Sequence, residues 1–528
     1  MRTIMLLAAT AMLTGGAASA PQTIVIAGGT IYDGSATGPV TGDVVVVGDR
    51  VVAVGPGVAG KYPSARVIDA KGLVVAPGFI DPHTHSDALI LGKTPAERLV
   101  TPWLMQGVTT IFTGIDGYGQ GSGTVKELLD HVDTNSVGPN VAALVGFGAV
   151  RVKVLGNDDR APTSAELERM RALTAHGMCE GAFGLSTGLF YAPQSFAKTD
   201  EVIAVAREAA RRGGIYDTHQ RDESSYSIGL INSVKEAIEI GRQAGMPVHF
   251  AHIKALGADV HGKANEIVAA IEAARASGVN VTADQYPYEA SGSSLVASLV
   301  PRWAQDGGAA ALVKRIETPA DRARIVAEMQ ANLVRRGGAN AVLLRGDGKP
   351  WGGKRLDVVA AEWKVDPVEA ALRIILANQG GGSPIVSFNM IEPDIKLLMR
   401  QPWVMTGSDG SAGHPRMYGT FPTKYAKYVV AEKTIDLATF IHSSTGRTAD
   451  FYKLDRRGHL KPGYFADIVV FDPAAYRPQA TYLEPTRFSE GVRTLLVNGI
   501  AVIEGGKLTG EAGGKALRHR APAGTCPG

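Results

Sequence analysis

The sequence predicts an α/β protein: a (β/α)8, TIM-type barrel with a small β-sandwich formed from both chain ends and a helical insertion before the last barrel strand. In the middle of the chain, apolar strand-like runs alternate with amphipathic stretches such as SAELERMRALTAHG, TDEVIAVAREAARRGG and SVKEAIEIGRQAG. That alternation implies parallel strands with helices outside them. The ends have a different texture: short runs rich in Val and Ile, punctuated by glycine. TIVIAGGTIYDG, DVVVVGDRVVAVG and ARVIDAKGLVVAPG stand near the start, and GHLKPGYFADIVVFDP and TLLVNGIAVIEGG near the finish. Such runs read as antiparallel strands joined by tight turns. A chain of 528 residues is also too long for one compact core.

Taken in order, residues 1–20 have the plan of a secretory signal peptide: Arg2, an apolar run from Ile4 to Thr14, and the small-x-small site Ala18-Ser19-Ala20. The protein is therefore expected to be exported, periplasmic or secreted. Residues 21–75 read as the first part of the β-sandwich, 76–457 as the barrel with an insertion at about 294–350, and 458–528 as the rest of the sandwich and a tail. Eight candidate strands follow one another: LVVAPGFIDPHTH, VTTIFTG, VAALVGFG, AFGLSTG, GGIYDTH, PVHFAHIK, VNVTADQYPY and PWVMTGSDG. Two more strand-like pieces, AVLLRGDG and SPIVSFNM, make the count ambiguous before the last. A net charge of +3 without a long basic run points to no nucleic-acid partner. No second long apolar run follows the signal, so no membrane span is expected. Cys179 and Cys526 are the two cysteines. They form either a disulfide or two free thiols, and they are too few for a thiolate-rich metal site.

In GFIDPHTHSD, His83 and His85 are two residues apart. On an extended strand they project to the same side. A lone HxH is weak evidence for a metal site, but the ends of the other candidate strands strengthen it. The fifth ends in His219, the sixth in His252 and the eighth in Asp409. In a (β/α)8 barrel all of these face one mouth. Nitrogen and oxygen ligands of this kind suit Zn²⁺ or a similar divalent ion. His249, three residues before His252, points elsewhere and reads as structural.

The stretches PGFIDPHTHSD, QGVTTIFTG, GAFGLSTGLFYAP, GGIYDTHQRDES, PVHFAHIKALG, VTADQYPY and GSDGSAGHPRMYGTFP, with KPGYFADIVVFDP near the end, carry a resemblance. The chain resembles the amidohydrolase superfamily and, within it, the D-aminoacylase (N-acyl-D-amino-acid deacylase) family. The resemblance implies metal ligation by His83 and His85 with Asp409 nearby, and by His219 and His252 at a second position. It makes Asp409 the catalytic general base and acid, acting with water activated by the metal. Lys254, Tyr286, Tyr288, His414 and Arg416 fall in motifs that line the family's substrate pocket, and Tyr191 is either a pocket wall or a packing aromatic. One position departs. The family's GNCG segment, whose cysteine ligates metal, is here GIDG, with Asp116 in place of the cysteine. Asp116 is either a substitute ligand or a turn residue. As a ligand it is harder than a thiolate and shifts preference from Zn²⁺ toward Mn²⁺ or Co²⁺, in a site of one or two ions. The implied substrate is a small N-acyl amino acid or peptide-like molecule. A dipeptidase or cyclic-amide hydrolase of the same superfamily, and a non-catalytic binding protein, stand as alternatives.

Overall fold

The computed structural model describes residues 22–119, 123–346 and 348–527. The signal peptide expected at 1–20 lies outside them. Eight strands run parallel around a barrel: β1 (Phe79–Asp81), β2 (Val108–Thr113), β3 (Asn140–Ala143, resuming at Val145–Gly146), β4 (Gly184–Gly188), β5 (Ile215–His219), β6 (Val248–Phe250), β7 (Val281–Gln285) and β8 (Val404–Thr406). Hydrogen bonding joins β1 to β3 in one sheet and β3 to β8 in another, the interruption of β3 marking the join. The remaining seam, between β8 and β1, is closed just beyond the strand ends. There Thr84 bridges Gly410, His85 N donates to Gly410 O at 3.0 Å, and Ser408 N donates to Asp81 Oδ1 at 2.9 Å. The three amphipathic stretches noted in the sequence form helices Ser164–Cys179, Thr199–Arg211 and Leu230–Ala244 outside the ring.

The run LVVAPGFIDPHTH, expected as one strand, is divided between two sheets. Val74–Pro77 pairs with the terminal sheet and β1 with the barrel. Gly78 stands at the division. A Cβ there would lie 2.2 Å from the Thr109 side chain, so only glycine lets the chain cross at that point. His83 and His85 therefore follow the end of β1 and are not on an extended strand.

AVLLRGDG and SPIVSFNM are not barrel strands. Pro384–Phe388 pairs with Ala290–Ser294 on one side and Val342–Leu344 on the other in a separate three-stranded antiparallel sheet. Helices Ala309–Glu317, Pro319–Arg335, Leu356–Trp363 and Pro367–Ala377 pack on it around their own core, which includes Ile316, Met329, Val359 and Ile375. The inserted lobe thus spans 290–388, longer than the 294–350 read from the sequence, because its sheet recruits strands from both flanks.

The chain ends do combine, through one continuously hydrogen-bonded set of nine strands. Strand Ile468–Phe471 pairs antiparallel with Val74–Pro77, stitching the C-terminal strands to the N-terminal ones. Alternation gives the sheet two apolar faces. Ile24, Val44, Ile468 and Leu496 build a core on one side, while Val74, Val469, Phe471 and Leu495 join the barrel core on the other. The tail then runs back beneath the barrel, where Val141 N donates to Lys515 O and Leu517 N to Val141 O. A Cys179–Cys526 disulfide fastens it to the end of helix Ser164–Cys179.

Asp467, from KPGYFADIVVFDP, ties these parts together. Its carboxylate pairs with Arg457 and accepts from Asn140 Nδ2 at 3.1 Å and Asn498 N at 2.8 Å. Asn498 in turn donates to Asn140 Oδ1 and Gly513 O, both at 2.7 Å. Removing one partner of a buried ion pair strands the other. Asp467→Ala is expected to lower the unfolding free energy by about 3–5 kcal/mol, measured by denaturant unfolding. An unchanged midpoint would show that the sheet packing alone holds the two ends to the barrel.

Candidate metal centre

Six side chains converge at the C-terminal mouth of the barrel. His83, His85, Asp116 and Asp409 form one group of candidate ligands, and Asp116, His219 and His252 a second, with the ligating atoms of each group within 4.8 Å of one another. Asp116 belongs to both. Its Oδ1 lies 3.5 Å from His83 Nε2, 3.5 Å from His252 Nε2 and 3.8 Å from His219 Nδ1, and its Oδ2 lies 3.6 Å from His85 Nε2. Asp409 Oδ1 is 3.2 Å from His85 Nε2, and its Oδ2 is 2.7 Å from Arg416 Nη1. These residues follow the ends of β1, β2, β6 and β8 or, like His219, close β5. Asp116, His252 and Asp409 have φ of +52°, +35° and +47°. Left-handed backbone at three non-glycine positions is strain of the kind that collects at functional sites.

The donor set fits a divalent ion through its unmet polar atoms. His83 Nδ1 and Nε2, Asp116 Oδ1 and His219 Nε2 are buried without any hydrogen-bond partner. Buried polar atoms are normally satisfied, so a cluster of orphans on nitrogen and carboxylate oxygen fits a cation. The electrostatics agree. Burial pushes His83 down to about 4 and His219 down to about 3, leaving both imidazoles neutral and able to ligate. For Asp116, burial raises the carboxyl, but His83, His252 and His219 outweigh it and hold the group ionised. For Asp409, Arg416 and His252 overcome burial in the same way. Burial and Lys254 lower His252, yet Asp409, Asp116 and Glu223 lift it to about 10.

The expected pocket residues fall into two sets. Tyr191, Lys254 and Tyr286 line one cavity together with His219, His252 and Asp409. Tyr286 Oη is buried and unpartnered, which suits a donor reserved for a ligand. Its ring lies 4.9 Å from the Arg416 guanidinium. Arg416 sits deep in the site, 2% exposed, with Nε unpartnered. His414, expected to bind substrate, instead has both ring nitrogens engaged: Nδ1 accepts from Arg416 N at 3.0 Å, and Nε2 lies 3.0 Å from Ala290 O. It positions Arg416. The Tyr288 hydroxyl is likewise engaged with Thr423 Oγ1 at 3.0 Å, and its ring forms a wall. Lys254 Nζ is 2.6 Å from Glu223 Oε1 and 2.7 Å from His252 Nδ1.

Sequence reasoning missed Glu223, Tyr226, Ser291 and Arg336, all of which line this cavity. Glu223 carried a faint signal, four residues after His219 within HQRDES. Arg336 carried none, because it comes from the inserted lobe. His249 is structural, as expected. It lies 3.0 Å from Asp284 Oδ2 and 2.8 Å from Thr282 Oγ1, while Asp284 Oδ1 accepts from His252 N at 3.1 Å. Asp116 belongs to both candidate ligand groups and, as a shared ligand, would contribute to both metal positions. Asp116→Ala is expected to weaken zinc binding by at least roughly 10- to 100-fold, read by competition against a chromogenic chelator. Undiminished affinity would reduce Asp116 to a turn residue.

Comparison with known proteins accords with this geometry. The model of the Amidohydrolase family matches residues 66–503. A D-aminoacylase of Alcaligenes xylosoxydans xylosoxydans is 34% identical, with 95% of this chain and 99% of that protein covered. The N-acyl-D-aspartate deacylase of the same organism is 33% identical over 95% and 96%. Among solved structures, a D-aminoacylase superposes with a TM-score of 0.79 at 31% identity, over 94% of this chain and 99% of that one. The N-acyl-D-glutamate deacylase of Bordetella bronchiseptica, solved with zinc and a phosphonate mimic of the tetrahedral intermediate, gives a TM-score of 0.79 at 29% identity over 95% and 100%. With its barrel, its terminal β-domain and its paired ligand groups at the mouth, this chain belongs to the amidohydrolase family, among the D-aminoacylases.

Proposed function

We propose that this protein is a metal-dependent amide hydrolase that removes the acyl group from N-acyl-D-amino acids, with Asp409 as general base and then general acid. The observation that carries the reading is the convergence of His83, His85, Asp116, His219, His252 and Asp409 with buried, unpartnered ligand atoms. These six residues would hold one or two divalent ions. Zn²⁺ suits the imidazoles, and a carboxylate in place of a thiolate extends tolerance to Mn²⁺ or Co²⁺. Such an ion, when bound, supplies Lewis acidity toward the amide carbonyl and acidifies water.

The protein's own groups do the rest. Asp409 takes the proton of the attacking water and returns it to the leaving amine. The Arg416 guanidinium at 2.7 Å keeps Asp409 ionised before each turnover, so that the proton it gains is readily passed on. Arg416 Nε and Tyr286 Oη, both unpartnered, face the substrate's α-carboxylate. With metal at one end and this anchor at the other, the hand of the α-carbon decides whether the amide reaches the water. We further propose that residues 1–20 direct export to the periplasm or beyond, where an oxidising milieu supports the Cys179–Cys526 disulfide.

Release of amine from matched N-acetyl-D- and N-acetyl-L-amino acids, with a chelated control, tests the reading. Chelator-sensitive turnover confined to the D-series is expected. Asp409→Asn is expected to lower kcat by about 10²- to 10⁴-fold in protein whose metal content is verified. Near-full activity in that variant would remove Asp409 from its proton-transfer role.

A further inference from the structure

Asp116 sits in a tight turn, Ile115-Asp116-Gly117-Tyr118, closed by Tyr118 N donating to Ile115 O at 3.0 Å. Both central residues are left-handed, with φ of +52° at Asp116 and +72° at Gly117. Positive φ at both positions is the pattern of a type I′ turn, for which Asp-Gly is a favoured pair. The peptide between them is the part of a turn whose orientation differs from one turn type to another. Rotating it would swing the Asp116 side chain away from the ligands it meets.

Two buried side chains grip this peptide on opposite edges. Gln194 Nε2 donates to Asp116 O at 2.8 Å, and Gly117 N donates to Ser186 Oγ at 3.2 Å. Ser186 lies on β4 and Gln194 in the turn after it, and they are 0% and 2% exposed. Ser186 spends its own proton on Asp217 Oδ1 at 2.8 Å, which leaves its oxygen as the acceptor for Gly117. Gln194 Oε1 accepts from Gly188 N at 2.7 Å. Its amide therefore has one workable orientation: turned over, it would set oxygen against the Asp116 carbonyl and NH₂ against the Gly188 N–H. The packing leaves room for this amide alone. A Cβ on Gly117 would lie 2.0 Å from Gln194 Oε1, and one on Gly148 would lie 2.5 Å from Gln194 Cδ.

We propose that Gln194 is a positioning residue of the metal centre. Together with Ser186 it locks the Asp116–Gly117 peptide, so that the Asp116 carboxylate stays aimed at both ligand groups. Gln194 supplies no ligand atom, because its contact is with the backbone of Asp116. The inference rests on the metal-centre part of the reading above and holds for any amide substrate.

The test measures zinc affinity by competition against a chromogenic chelator, using metal-free protein of wild type, Gln194→Met, Ser186→Ala, Asp116→Ala and the Asp116→Ala/Gln194→Met pair. Gln194→Met fills the same space without either hydrogen bond, and it is expected to weaken zinc binding by roughly 10- to 100-fold. In the Asp116→Ala background the same change should cost nothing further, because no carboxylate remains to be aimed. Co²⁺-loaded protein gives a second readout: the visible absorption bands of the ion should shift in Gln194→Met, as the ligand set changes. Ser186→Ala should weaken zinc binding in the same direction, and it decides the question if Gln194→Met does not fold. Undiminished affinity in folded Gln194→Met, or an equal loss with and without the Asp116 carboxylate, overturns the proposal. Wild type that binds zinc yet hydrolyses no N-acyl-D-amino acid would remove the deacylase reading and leave the role of Gln194 to stand on the affinities alone.

Discussion

An ionised carboxylate held away from water is the constraint around which this barrel is organised. Asp116 is 3% exposed, and its Oδ1 makes no hydrogen bond. A buried charge of that kind persists only if positive charge surrounds it. His252, lifted to about 10, carries such charge, and the neutral imidazoles His83 and His219 would help to ligate a cation that adds more, so strands far apart in the chain must end at one depth. The same demand explains the left-handed backbone at Asp116, His252 and Asp409. Each turn bends sharply to aim its side chain inward, and the local strain is offset by the packed ring beneath.

Beneath the ligands lies a second layer of buried polar groups that holds the first in place. Asp284 receives His252 N and stands against His249, while Asp81 accepts from Trp103 Nε1 at 2.8 Å and from Ser408 N at 2.9 Å. The contact from Ser408 crosses the β8–β1 seam, where backbone pairing is sparse. Burial raises Asp81 to about 7 despite those bonds. The seam is thus closed by side chains in place of a full hydrogen-bond ladder.

Most of the barrel and the ligand cluster were legible because both obey simple periodicities. Helix Thr199–Arg211 shows its apolar stripe openly, and strands β5 and β6 run directly into their histidines. What was hidden depended on contacts distant in sequence. Gly78 reads as an ordinary glycine until Thr109 is placed against it. His414 looks like a free imidazole until the backbone of Ala290 and Arg416 claims both nitrogens. Arg336 ends a surface helix whose pattern speaks only of the lobe's own core, and its approach to the cavity arises from how that lobe docks. The two readings left open for the cysteines were likewise settled by the path of the tail, which returns to helix Ser164–Cys179.

The terminal sheet has a consequence for how the molecule is made. Asn140, near the start of β3, is satisfied by Asn498, a partner 358 positions later in the chain. The contact between Val141 and Lys515 spans a similar distance. Pairings so remote in sequence carry a large loop-closure cost and slow the approach to the native state. A nascent chain with all eight barrel strands already synthesised still lacks the sheet that covers one flank and the strap that crosses beneath. Its apolar flank stays open until synthesis is nearly complete, so the unfinished protein, more than the finished one, needs protection from aggregation.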